Sequence, residues 1–194
     1  GLRARGGGAA YAPPAPGPRQ LWRTLCRPSN AILVLQGLPG SVPWGVICVF
    51  LNDFLAQEKG LSVQQATLVV GLFGLGAAVG SVAGGVLGQR VQRKSVLYLS
   101  LMMGLSMIFG TLPLMFTINA DFEVTSFFLV SLSTVLSGFL ASMNGANIRA
   151  LLLNVNVPEA RGAVMSVANL VANAGRGVGP LVATGLARWG GGEG

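Results

Sequence analysis

The residues able to do chemistry in this chain are few, and they lie where polar groups are costly. Arg176 sits in an otherwise uncharged run, with Asn173 and Asn169 three and seven positions before it, so the three share one helix face. In the preceding apolar run Thr134, Ser137, Asn144 and Asn147 recur at spacings of three, seven and three, and Arg149 follows them. Gln36, Ser41 and Trp44 stand beside Gly37, Pro39, Gly40 and Pro43 in the middle of another run. Such groups recognise a solute by charge and hydrogen bonding; they do not break bonds. The chain has no histidine, Cys26 and Cys48 lie apart in a basic flank and an apolar run, and no carboxylates cluster at one depth. Catalytic residues, a metal site and a cofactor are therefore not expected, and the chain does not read as an enzyme.

The elements that must position these groups are membrane helices. Charged residues make up 10% of the chain and hydrophobic ones 52%, with a mean hydropathy of +0.64, which leaves a soluble fold too little polar surface to cover itself. The net charge of +7 does not indicate nucleic acid, because the cations gather at the ends of apolar runs. Five runs are long enough to span a bilayer, at about residues 30–51, 63–88, 96–118, 124–154 and 163–187. Ser62 with Gln65 three residues on has the form of a capping box ahead of the second.

Within that second span Gly76, Gly80, Gly84 and Gly88 recur every fourth residue, leaving one helix face nearly bare for another helix to approach. In water each Gly costs a helix about 1 kcal/mol relative to Ala. In lipid an unpaired backbone group costs more, so the helix holds. Gly179 and Pro180 follow Arg176 and loosen the fifth span. The third span, with hydroxyls at Ser100, Ser106, Thr111 and Thr117 that can bond their own helix, reads as scaffold.

Flanking charges orient the spans. Arg90, Arg93, Lys94, Arg149 and Arg161 fall on one side, and Asp53, Glu58, Asp121 and Glu123 on the other, with Lys59 and Arg188 as exceptions. The positive-inside rule then places the N-terminus in the cytoplasm and residue 188 outside. Residues 1–29 form a Pro/Gly/Arg-rich cytoplasmic linker ending in a short interfacial helix, where Leu21-Trp22-Arg23-Thr24-Leu25-Cys26-Arg27 alternates apolar and basic positions; residues 189–194 are a Gly-rich tail. A transit peptide is the rival reading of the first residues. A chain that starts on Gly1 and ends in this tail is expected to be a fragment.

An Arg at mid-helix costs about 2.5–3.5 kcal/mol even on insertion scales, so Arg176 requires a partner or a water-filled path. It is either paired to an acid elsewhere in the molecule or part of an anion site or gate. The polar face of the fourth span is either hydrogen-bonded between helices, at about 0.6 kcal/mol per contact, or lines an aqueous cavity. The prolines of the first span mark either a tolerated kink or a site.

Three segments, in order and on one side, resemble a known family. Gly85-Val86-Leu87-Gly88-Gln89-Arg90-Val91-Gln92-Arg93-Lys94 is similar to the Gly-x-x-x-Asp-Arg-x-Gly-Arg-Arg/Lys loop of the major facilitator superfamily, with Gln89 in place of the acid and Gln92 in place of the second Gly. Val157-Pro158-Glu159-Ala160-Arg161-Gly162 resembles the Pro-Glu-x-Arg-Gly loop after the fourth helix of a half, and Gly175 to Pro180 the Gly-Pro element of the fifth. The segments Leu35 to Trp44 and Asn147 to Val155 resemble the Spinster-like branch.

The resemblance implies an all-α integral membrane fold, five helices of a six-helix half-bundle, and the C-terminal half of a secondary transporter. It implies alternating access, with the first and fourth spans lining the cavity, the second and fifth flanking it against the other half and the third supporting from outside; the polar residues Gln36, Trp44, Asn144, Asn147, Asn169, Asn173 and Arg176 are the candidates for the cavity. It also implies that Arg90, Arg93 and Lys94 latch the cytoplasmic side and that the Gly76–Gly88 face slides on the other half. Partners would be a small-molecule substrate, the lipid bilayer and the missing N-terminal half. Arg176 and Arg149 favour an organic anion or zwitterion. The alternative is a non-transporting multipass protein, a receptor or assembly factor, which needs the spans but no polar mid-membrane face.

Overall fold

A computed structural model describes residues 17–122 and 125–190; the first part of the linker, Glu123, Val124 and the final four residues lie outside it. Among the described residues the chain is all α-helix: α1 (Pro18–Leu25), α2 (Pro28–Leu35), α3 (Gly37–Gln57), α4 (Val63–Gln92), α5 (Val96–Asn119), α6 (Phe127–Val155) and α7 (Pro158–Gly190). Four stretches are long and apolar enough to cross a bilayer: Pro28–Gln57, Val63–Gln92, Val96–Asn119 and Phe127–Val155. The fifth expected span, α7, has 33 residues and is long enough. Its glycines, Asn169, Asn173 and Arg176 keep it out of that apolar set.

Local chemistry explains the helix ends. Ser62 accepts from the Gln65 backbone N–H at 3.3 Å while Gln65 Oε1 accepts from the Ser62 N–H at 3.0 Å, a reciprocal cap that starts α4. Pro28 and Pro158 stand at the first positions of α2 and α7, where a missing N–H is harmless. The first membrane stretch is broken at Gln36, between α2 and α3, and Pro43 lies inside α3. A proline removes the N–H that would bond four residues back, which bends such a helix.

Glycine seams organise the packing. Gly76, Gly80, Gly84 and Gly88 of α4 lie against Val135, Phe139, Met143 and Asn147 of α6 in register, so the two helices run parallel; Gly138 of α6 answers against Phe73. A second parallel seam joins α3 and α7, with Gly175 against Leu38, Gly179 against Val42 and Gly45 against Arg176. α5 lies along the other side of α6, where Gly110 meets Leu140 and Ala141. These three helix contacts are the extensive ones, and the α3/α7 pair meets the α4/α5/α6 group more sparsely. The expectation that the Gly76–Gly88 face slides against another half is corrected by this arrangement: α6 occupies that face inside the bundle.

Two apolar clusters close the ends of the bundle. Leu51, Leu55, Leu61, Ala66 and Val69 gather around the α3–α4 turn. Val34, Leu152, Ala160 and Val164 gather at the opposite end, where Leu21 and Leu25 of α1 cover them. The outward faces are strongly apolar, as at Leu75, Leu101, Ile108, Phe128 and Leu181, which suits hydrocarbon rather than water.

Candidate functional site

Between the α3/α7 pair and the α4/α5/α6 group lies a cavity of about 790 Å³. Gln36, at the junction of α2 and α3, and Gly40, Ser41 and Trp44 of α3 line it, while α4 contributes Ala77, Ala78, Ser81 and Val82. Met107 is the lining residue from α5. From α6 come Ser142, Asn144, Arg149 and Leu152, and from α7 Met165, Asn169, Ala172 and Arg176. Two guanidinium groups thus face one cavity, and no Asp or Glu is among the residues lining it.

Several lining groups are held by local contacts. Gln36 Nε2 donates to the Leu33 carbonyl at 3.2 Å, and Ser81 Oγ to the Ala78 carbonyl at 2.9 Å. Trp44 meets Phe73 of α4 with ring centroids 5.5 Å apart at a tilt of 54°, so an aromatic pair bridges the two helix groups. Asn144 has its Oδ1 out of contact with solvent and without a hydrogen-bond partner, a state that costs about 1–3 kcal/mol for a neutral polar group.

The structure brings Gln36, Trp44, Asn144, Asn169 and Arg176 to the cavity and leaves Asn147 and Asn173 outside it. Asn147 is 2% exposed and turned into the α4/α6 seam, where its amide occupies the room left by the absent side chain of Gly88 and Nδ2 donates to the Met143 carbonyl at 2.9 Å. It lies about 160° around α6 from Gly145, the middle of the lining strip, by the 100° step of a helix. Asn173 stands about 100° from Ala172, just beyond the strip on α7, and is exposed.

The polar face expected on α6 therefore divides. Thr134 Oγ1 donates to the Val130 carbonyl at 2.8 Å and shares a 3.2 Å contact with Thr117 Oγ1 of α5. Ser137 Oγ donates to the Gly110 carbonyl at 2.9 Å. These hydroxyls tie α6 to α5, and Asn144 is left to the cavity. On α5 itself the hydroxyls of Ser100, Ser106, Thr111 and Thr117 donate to backbone carbonyls three or four residues back.

Arg90, Arg93 and Lys94 are exposed at the end of α4. Because α4 and α6 run parallel, this is the end where α6 turns into α7. A feature missed by sequence reasoning sits there. Asn30 and Asn156, 1% and 4% exposed, exchange amide hydrogen bonds at 2.8 Å in both directions. Asn30 Nδ2 also reaches the Thr24 carbonyl at 2.8 Å, Asn156 Nδ2 the Leu152 carbonyl at 2.8 Å, and Arg161 Nε donates to the Asn156 carbonyl at 3.1 Å. The clamp binds the α1–α2 segment to the α6–α7 loop. Its available signal was two asparagines each two residues from a helix-starting proline, at runs assigned to the same side of the membrane.

A family model described as the Major Facilitator Superfamily matches residues 33–193. The chain belongs to the Major Facilitator Superfamily. No curated protein and no solved structure gives a significant match to it. As a member of this superfamily, with four helical stretches fit to cross a bilayer, it is a multi-pass membrane protein of a transporter family, not of an enzyme family. Membership points to secondary transport.

Proposed function

We propose that this chain is the C-terminal half of a secondary transporter that moves a small organic anion or zwitterion by alternating access. The observation that carries the substrate class is the pair Arg149 and Arg176 on a cavity without a lining carboxylate. Two cations in a site walled by membrane helices disfavour a cationic solute and attract a carboxylate or phosphate, through charge-assisted and bidentate hydrogen bonds. The amides of Gln36, Asn144 and Asn169 and the ring of Trp44 give such a solute neutral hydrogen-bonding and apolar contacts. The mix suits a small amphiphilic molecule.

In this reading α7 is a fifth membrane span, tolerated despite Arg176 because that side chain meets the cavity rather than lipid. Residues 17–29 belong to the cytoplasmic linker of the transporter, and Arg90, Arg93 and Lys94 latch the cytoplasmic side against the N-terminal half. The Spinster-like wording of residues 35–44 and 147–155 supports that branch of the superfamily. Rocking of two halves around a midplane site is the mechanism such a half-bundle serves. A proton-coupling carboxylate, if one operates, belongs to the other half, since the described carboxylates Asp53, Glu58, Asp121 and Glu159 stand near helix ends.

The test is uptake by the full-length transporter in proteoliposomes. Arg176→Gln is expected to lower the uptake of organic anions by tenfold or more, in line with the roughly 1.5–3 kcal/mol of a hydrogen bond between charged groups, with Arg176→Lys retaining part of it. Anion uptake unchanged by Arg176→Gln rejects the substrate class.

A further inference from the structure

α1 is amphipathic in an unusual sense: it has one face against protein and the other covered with arginine. Leu21 and Leu25 pack on the Val34, Leu152, Ala160 and Val164 cluster. By the 100° step of a helix, Arg19 and Arg23 lie about 120–160° away from those leucines, one turn apart. Both are exposed, as is Arg27, which stands in the extended link between α1 and α2. Trp22 lies on the flank between the two faces and is 69% exposed. No acidic residue occurs in α1 or in the linkage to α2.

The helix is fixed in place. Asn30 holds the Thr24 carbonyl near its end, and the buried Asn30–Asn156 pair ties this segment to the α6–α7 loop. The same end of the bundle carries Arg90, Arg93, Lys94 and Arg161, with Glu159 the one acidic residue there among those described; Asp53, Glu58 and Asp121 lie at the other end. A rigid cationic stripe with a large indole at its edge, at the rim of a membrane bundle, meets the headgroup layer, where tryptophan partitions and anionic lipids gather.

We propose that α1 is a binding site for anionic phospholipid headgroups, with Arg19, Arg23 and Arg27 contacting the lipid phosphate and Trp22 seated in the headgroup layer. The site stands apart from the solute cavity and does not depend on what is transported. Each cation near such a surface strengthens lipid attraction by about fivefold, so the three together give a marked preference over zwitterionic lipid. Salt at 1 M, where the screening length is about 3 Å, removes most of it.

The experiment uses the full chain in bilayers of mixed phosphatidylcholine and phosphatidylserine, in a Trp44→Phe, Trp189→Phe background where Trp22 is the remaining tryptophan. Bromine-labelled phosphatidylserine or bromine-labelled phosphatidylcholine is introduced at equal mole fraction, and quenching of Trp22 emission is read. The labelled phosphatidylserine is expected to quench several-fold more strongly at low salt, and this excess is expected to disappear at 1 M salt and in the Arg19→Gln, Arg23→Gln, Arg27→Gln variant. Equal quenching by the two lipids, no quenching by either, or a preference unchanged in the triple variant overturns the proposal. Since all three substitutions are at exposed positions, a monodisperse elution profile in detergent serves as the check that the variant is folded.

Discussion

Adding one methyl group at Gly80 should separate α4 from α6. A Cβ built at that position would meet the Phe139 carbonyl oxygen, and would stand 2.6 Å from both Cα and carbonyl carbon of Phe139. Carbon atoms pack best at about 3.5–4.0 Å, so the helices must part locally by about 1 Å, and a gap of that size forfeits a quarter to a half of the dispersion energy of the flanking contacts. The obstructing atoms are backbone and cannot swing aside as a side chain would. Overpacking of a tight interior costs about 1–3 kcal/mol, and the upper end is expected for Gly80→Ala. Gly74→Ala, on the same helix with nothing within 4 Å of its added methyl, is the control; it gains helix propensity, up to about 1 kcal/mol in an aqueous reference. Thermal unfolding in detergent, followed by size-exclusion fluorescence, should show a lower midpoint for Gly80→Ala and none for Gly74→Ala. The Gly76→Ala, Gly80→Ala double variant should cost less than the sum of its parts, because helices already parted no longer clash at the second site. A Gly80→Ala protein as stable as Gly74→Ala would refute the close seam.

The remaining expectations concern other contacts. Asn30→Ala and Asn156→Ala should each destabilise the protein by about 1–3 kcal/mol, since each strands a buried amide, and a double-mutant cycle should show that the second substitution costs much less once the first is made. Ser62→Ala removes the α4 cap and should lower stability by about 1 kcal/mol, read as a small drop in the same thermal midpoint. With native Cys26 and Cys48 replaced by serine, single cysteines at Ser81 and Asn169 should react with a membrane-impermeant maleimide in the bilayer-reconstituted protein, whereas cysteines at Leu101 and Leu181 should not; equal labelling of all four would argue against a wet cavity bounded by lipid-facing surfaces.

How far the structure was legible from the sequence depended on whether the physics was local. The Ser62–Gln65 cap could be read because its two partners lie three residues apart. The regular recurrence of Gly76, Gly80, Gly84 and Gly88 announced a close helix contact, but not which helix makes it; that depends on the register with Val135, Phe139, Met143 and Asn147, a long-range property absent from the glycine spacing. Asn144 and Asn147 looked equivalent for the same reason. Three positions apart they differ by about 60° around the helix, enough to leave one on the cavity and press the other into the seam. The Asn30–Asn156 clamp joins residues 126 apart in sequence, and neither asparagine alone distinguishes a buried amide pair from two loop residues. Hydroxyls on α5 were readable as self-bonding because their acceptors lie one turn away.

The seams and the cavity are two consequences of one distribution of side chains. Gly45 lets α3 approach α7 where the Arg176 backbone passes, and the nearest neighbours of a Cβ there would be the Arg176 carbonyl oxygen, carbonyl carbon and Cα. Four residues on, Pro180 has no N–H to return to the Arg176 carbonyl, so that carbonyl lacks its usual helical donor. The bare Gly45 Cα lies close enough to offer a weak C–H contact in exchange, the kind that recurs at tight helix interfaces. Gly175 and Gly179 hold the same approach one residue before and three after. Arg176 is thereby carried on the most closely packed stretch of α7, with its backbone against α3 and its side chain on the cavity. In the proposed transport reading, a cation that meets a solute is best mounted on two closely packed helices, and the α3/α7 seam supplies such a mount. The sparser contact between that pair and the α4/α5/α6 group is where the empty volume lies, so stiffness sits within each helix group and space sits between them.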